Sequence, residues 1–160
     1  MHSMEDKADS RESIPGEVDG ARLLDDLVRV EVRLYAVVDA RLRSAGGHGL
    51  GRLEVLRAVA RVPSCRVADV AGQLGITVGA ASKAVDRQVR DGLVERLPHP
   101  EDGRSSILEL TTSGRAALDD LEPLLDRITA EVFAASGVEP AELQRLGRTL
   151  RDLRSSLAAL

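Results

Sequence analysis

Aromatic side chains are almost absent from this 160-residue chain: Tyr35 and Phe133 are the only two, and there is no tryptophan. With hydrophobic residues at 43%, the core must be built from Leu, Val and Ala, which suits packed helices better than a β-sandwich. Cysteine is nearly missing as well. Cys65 stands alone, so no internal disulfide framework exists, and the residue reads as a small apolar filler. No apolar run approaches the roughly 18 residues of a membrane span. The first residues are polar and carry no signal-peptide core, which predicts a cytoplasmic protein. There is no Gly-rich phosphate loop, no nucleophile motif and no supported Ser/His/Asp arrangement, so an enzyme is not expected. His2, His48 and His99 are scattered, and no helix pairs ligands at metal spacing; neither a metal nor a cofactor is expected.

The net charge is −4, which does not announce a nucleic-acid partner. Between Pro63 and Thr111 six basic residues face seven acidic ones, so bulk charge decides nothing and the placement of the basic residues must.

The pattern along the chain is helical. Residues 1–18 are charged, Ser-rich and broken by Pro15-Gly16, the composition of a flexible tail. From Ala21 to Leu42, Leu23, Leu27, Val30, Leu34, Val38 and Leu42 recur every three or four positions and predict an amphipathic helix. Gly46-Gly47-His48-Gly49 ends it. A short helix is expected from about Arg52 to Ala60, and another from Val67 to Leu74, stopped by Gly75. The next spans Thr77 to Asp91, with Thr77 as N-cap and Gly92 just past its end. Its Val78, Ala81, Val85 and Val89 should face inward, with Lys83, Arg87 and Arg90 on the opposite face. Gly79 and Ala80 keep its first turn slim. Leu93-Val94-Glu95-Arg96 and Ser106-Ile107-Leu108-Glu109-Leu110 flank a Pro/His/Asp/Gly turn and read as a hairpin. Helices follow from Ser113 to Ala135 and beyond Pro140, where Leu143, Leu146, Leu150, Leu153 and Leu157 form an apolar seam.

Helix, tight turn, helix and hairpin make a winged helix-turn-helix. From about Leu50 to Leu118 the residues resemble the MarR (multiple antibiotic resistance regulator) family. The resemblance is carried by Leu53-Glu54-Val55-Leu56, by Val67-Ala68-Asp69-Val70-Ala71 with Leu74-Gly75-Ile76-Thr77, and by Ser82-Lys83-Ala84-Val85-Asp86-Arg87 with Gly92-Leu93-Val94-Glu95-Arg96. Asp102-x-Arg104 with Leu110-Thr111 resembles the family's wing signature. The expected fold is mainly α with a small β-hairpin wing. Its expected parts are the tail 1–18, an N-terminal dimerisation helix in 19–48, the winged domain in 49–112 and C-terminal dimerisation helices in 113–160.

The resemblance implies a transcriptional regulator, a ligand-responsive repressor acting as a homodimer on a pseudo-palindromic double-stranded DNA operator with half-sites about one helical turn apart. Thr77, Gly79, Ala80, Ser82, Lys83 and Arg87 would meet the major groove, and Arg104 the minor groove, oriented by Asp102. Leu23, Leu27, Leu143, Leu146, Leu150, Leu153 and Leu157 would form the dimer interface. A small effector, commonly an anionic phenolic compound, would bind near Tyr35, His48 and Arg52. The competing reading from the acidic net charge is a winged-helix protein–protein interaction module without DNA binding.

Overall fold

The computed structural model describes residues 18–98 and 106–157. Six helices and one hairpin follow in the order α1 (Gly20–Gly46), α2 (Leu50–Arg61), α3 (Val67–Leu74), α4 (Val78–Arg90), β1 (Val94–Pro98), β2 (Ser106–Leu110), α5 (Thr112–Ala135) and α6 (Pro140–Leu157). This is the mainly helical winged architecture that the sequence pattern predicts. No helix among the described residues is long and apolar enough to cross a membrane.

The chain divides into two compact units between Ala36 and Val37, inside α1. The first unit contains the N-terminal stretch of α1. Asp19 starts that helix by accepting from the Arg22 N–H at 3.0 Å, and Asp25 pairs with Arg29 one turn on at 2.7 Å. Leu23 and Val30 of the predicted seam are exposed here, and Leu27 and Leu34 are half-buried.

The second unit holds the core. Leu42, Leu53, Val55, Leu56, Cys65, Val70, Val85, Val94 and Leu108 are its largest fully buried side chains, and Leu118, Leu121, Leu125 and Ile128 of α5 close it from another side. As expected, no aromatic residue takes part.

Local chemistry sets the corners. The Asp39 carboxylate caps α2, accepting from the Leu50 N–H at 2.8 Å and from Arg43 Nε at 2.8 Å. The Arg43 hydrogen bond holds its pKa below the usual carboxylate value, against a smaller opposing effect of burial. Gly49 leaves room for this cap, because a Cβ would stand 2.5 Å from Asp39 Oδ1 and push the Asp39 and Arg43 side chains aside. At the start of α3, the Asp69 carboxylate reaches back to accept from the N–H of the N-cap residue Arg66 at 2.7 Å. Gly75, in the left-handed region at φ 66°, turns the chain from α3 into α4. The hairpin is antiparallel, pairing Val94 with Leu110 and Arg96 with Leu108. The Leu108 N–H also donates to the Cys65 carbonyl at 2.7 Å, tying β2 to the loop before α3.

Two expectations about packing need correction. Val78 is exposed, not buried: the inward stripe of α4 is Ala81, Ala84, Val85 and Gln88, and Val89 is only half-buried. The helix stands rotated from the all-apolar reading, at the i, i+3, i+4, i+7 spacing of a helical face, and takes a polar residue inside. Further along, α6 buries none of its residues, so its leucine seam is not consumed within the chain.

Candidate nucleic-acid interface

The candidate interface is built on the uncovered side of α4. Thr77 caps the helix, its Oγ1 accepting from the Ala80 N–H at 3.2 Å. Thr77, Gly79 and Ala80 are exposed at the opening turn, and a Cβ on Gly79 would meet nothing within 4 Å. Among the described residues none covers that turn, where unpaired N–H groups and the positive end of the helix dipole favour an anion. Lys83, Arg87 and Arg90 continue the same exposed face, beside half-buried Ser82. None of the three cations makes an ion pair among the described residues.

Other basic residues nearby are engaged. Arg96 Nη2 of β1 donates to Asp86 Oδ1 of α4 at 2.7 Å, and its Nη1 reaches Ser106 Oγ at 3.4 Å. The Arg52 guanidinium on α2 pairs with Asp91, which caps the C-terminus of α4. Of the basic residues on α4 and β1, Lys83, Arg87 and Arg90 are those without an ion pair among the described residues.

Both feet of the hairpin are fixed by Thr111. Its hydroxyl donates to the Gly92 carbonyl at 2.7 Å and accepts from the Gly114 N–H at 3.0 Å, and its own N–H donates to the Leu93 carbonyl at 3.1 Å. Gly114 packs so close that a Cβ would lie 1.9 Å from the Leu93 carbonyl oxygen. Asp102 and Arg104 lie outside the described residues, as does the 1–18 tail apart from Val18.

A cleft of about 780 Å³ opens behind the winged segment, lined chiefly by small and apolar residues of α5 and the end of α1, with His48, Ser113, Asp120 and Arg127 as its polar groups. Of the three residues read as an effector pocket, only His48 lines it. Arg52 is drawn away by Asp91, although its Nη1 also reaches His48 Nδ1 at 2.9 Å. Tyr35 falls in the first unit of the chain and is exposed. Pattern reading along the sequence missed Asp39, Asp86, Asp91 and Gly114. Only Asp91, beside Gly92 at the end of α4, stands where helix-end punctuation could have marked it. Among the described residues no cluster of His, Cys, Asp and Glu could hold a metal ion. Cys65 is fully buried, and burial, aided by Asp69, pushes its thiol up to about 11.

A family model described as the MarR family matches residues 50–105, from the start of α2 through the hairpin. Over that segment the chain resembles the MarR family. Among relatives, the HTH-type transcriptional regulator BilQ of Clostridium symbiosum is 28% identical over 108 residues, covering 64% of this chain and 75% of BilQ. The fold agrees over a longer span. Sco3205 of Streptomyces coelicolor, a MarR-family transcriptional regulator solved in complex with DNA, superposes with a TM-score of 0.72 at 22% identity, covering 86% of each chain. BpsR of Bordetella bronchiseptica, whose structure concerns regulation of DNA binding by 6-hydroxynicotinic acid, superposes with a TM-score of 0.73 at 23% identity, over 83% of this chain and 98% of BpsR.

Proposed function

We propose that this chain is a MarR-family DNA-binding transcriptional regulator, a ligand-responsive repressor that acts as a homodimer on a pseudo-palindromic operator. The observation that carries the reading is the row Lys83, Arg87 and Arg90, exposed on α4 while Arg96 and Arg52 are neutralised by Asp86 and Asp91. A solvated helix face needs no such sorting of cations. α4 enters the major groove through Thr77, Gly79, Ala80 and Ser82, with Lys83 and Arg87 on phosphates and base edges. Arg104 reaches the adjoining minor groove and Asp102 orients it.

Dimerisation follows from what one chain leaves uncovered. Leu146, Leu150, Leu153 and Leu157 on α6 and Leu23 on α1 are 39–57% exposed, and Leu27 and Leu143 are half-buried. A second copy covers these rows, since a stable protein rarely leaves such rows of apolar side chains in water. Two-fold symmetry then presents two α4 helices to successive turns of the duplex.

The cleft beside α5 takes the effector. Its volume falls in the range of small-molecule sites, and its small apolar residues with Arg127, His48 and Ser113 suit an anionic phenolic compound whose hydroxyl donates to Asp120. With aromatic side chains nearly absent, such a ligand is held by hydrogen bonds and charge rather than by stacking. It acts by binding one spacing of the two α4 helices better than the other. A shift from 99:1 to 1:99 needs about 5.5 kcal/mol of differential binding.

A fluorescence-anisotropy titration with the DNA flanking the protein's own gene, at several salt concentrations, tests the reading. Saturable binding to one pseudo-palindrome, far tighter than to random DNA and weakening steeply with salt, is expected. Weak binding indifferent to sequence, both there and in a genome-wide selection for bound DNA, would instead favour the protein–protein module.

A further inference from the structure

His48 faces the cleft, yet its ring is also the first link of a chain that ends on α4. Arg52 Nη1 lies 2.9 Å from His48 Nδ1, and the other end of the same guanidinium pairs with Asp91. An arginine can only donate, so this contact is a hydrogen bond when Nδ1 accepts, which is the tautomer with its proton on Nε2. Asp91 is no ordinary surface carboxylate. It is the C-cap of α4, its N–H donates to the Arg87 carbonyl at 3.0 Å, and the next two amides, Gly92 and Leu93, close the helix onto Val89 and Gln88. One planar side chain therefore spans from a cleft-lining ring to the end of the helix that carries Lys83 and Arg87.

We propose that His48, Arg52 and Asp91 form a relay through which the state of the His48 ring sets the hold on the C-terminus of α4. A proton on Nδ1, or an acidic group in the cleft that draws a proton there, removes the acceptor and places two cations face to face. Arg52 then turns away, and Asp91 loses its partner. The other charged groups around the ring belong to different elements: Asp120 and Arg127 of α5 line the cleft with it, and Asp39 and Arg43 of α1 crowd the adjacent Gly49. Asp39 is committed to Arg43 and the Leu50 N–H, so it does not replace Arg52 as a partner for His48. The relay acts on the proposed DNA-reading helix and so rests on that reading for its biological meaning, although its physics does not.

Native-state hydrogen exchange tests it without DNA. Protection factors for Asp91, Gly92 and Leu93, which divide out intrinsic exchange, are compared across the range where imidazoles titrate, from about pH 8 to about pH 5. In the wild type they should fall by about fivefold toward low pH, the weight of one partly exposed charge-assisted hydrogen bond. His48→Gln keeps an acceptor that does not titrate, and should remove the dependence while retaining high protection. Arg52→Gln and Asp91→Asn should give the low level at every pH. The same fall in His48→Gln, or none in the wild type, would overturn the relay, as would full protection in both Arg52→Gln and Asp91→Asn. Operator titrations of the same variants separate the two ideas. A relay seen by exchange in a protein that ignores DNA sinks only the regulator reading. Tight operator binding with pH-independent protection sinks only the relay.

Discussion

Arg96 of the wing strand and Asp86 of α4 meet at 2.7 Å, so the hairpin and the helix beside it are joined by an ion pair on the very face that presents Lys83 and Arg87. Both partners are partly exposed, with side chains 31% and 51% accessible, and the pair contributes under about 1 kcal/mol to stability. Its weight lies in geometry and charge. Arg96→Ala leaves a bare carboxylate facing phosphates and should cost about tenfold in operator affinity, roughly 1.4 kcal/mol. Asp86→Ala combined with Arg96→Ala removes the repulsion but not the freedom of the wing, and about a threefold loss should remain. Equal losses in single and double variants, measured by anisotropy, would show that the pair does not act this way.

Lys83→Ala and Arg87→Ala should each weaken binding to every DNA sequence. Each should also flatten the plot of log affinity against log salt by about one unit, as expected for one phosphate contact. An unchanged slope in both variants would remove these residues from the interface.

Leu150→Asp with Leu153→Asp places two charges in the exposed row of α6. Because α6 contributes no buried residue to its own chain, the variant should stay folded by circular dichroism and sediment as a monomer. An intact dimer would mean that association uses another surface.

Gly114→Ala should be among the most damaging single methyl additions in the chain. The new Cβ would stand 1.9 Å from a backbone carbonyl that is itself held by the Thr111 N–H, so nothing flexible can yield. A loss of about 3 kcal/mol or more in urea denaturation is expected. A change within experimental error would show that the α5 start is looser than its hydrogen bonds imply.

Two titrating groups bound the pH range of stability. Asp39 has its pKa lowered by Arg43 in the folded chain, so its contribution is present above the unfolded value of 3.8 and is lost as pH falls through the lowered folded value; Asp39→Asn should blunt that acid-side loss. Cys65 is raised from 9.0 to about 11, so the neutral thiol favours the folded state. That stabilisation is intact below pH 9.0 and declines as pH rises toward about 11, by at most about 1.4 kcal/mol per pH unit. Native protein at pH 7 should leave a thiol reagent unreacted until denaturant is added.

Much of this structure is written locally. Val67–Leu74 is delimited by its own cap and by Gly75, and α4 by Thr77 and Gly92, so propensity and punctuation suffice to read them. The rotation of α4 was less legible. Val78 sits in the opening turn, past the end of the surface that α4 packs on, while Gln88 occupies a core position that hydrophobicity alone assigns to Val89. Least legible were links between elements. Arg52 looks like a free cation beside a loop, and only the fold reveals Asp91, 39 residues on, as its partner. Asp39 similarly reads as one more charge on a polar helix face, because period and spacing are silent about the next helix it caps.

The hydroxyl of Thr111 has a consequence for how such a protein can diversify. It fastens the base of the hairpin to Gly92, Leu93 and Gly114, while Cys65 holds the middle of β2, so the anchorage is complete before the chain reaches Pro98 and after it leaves Ser106. None of these anchoring residues belongs to the proposed DNA face, so the grip on the hairpin and the contacts to a partner can change independently of one another.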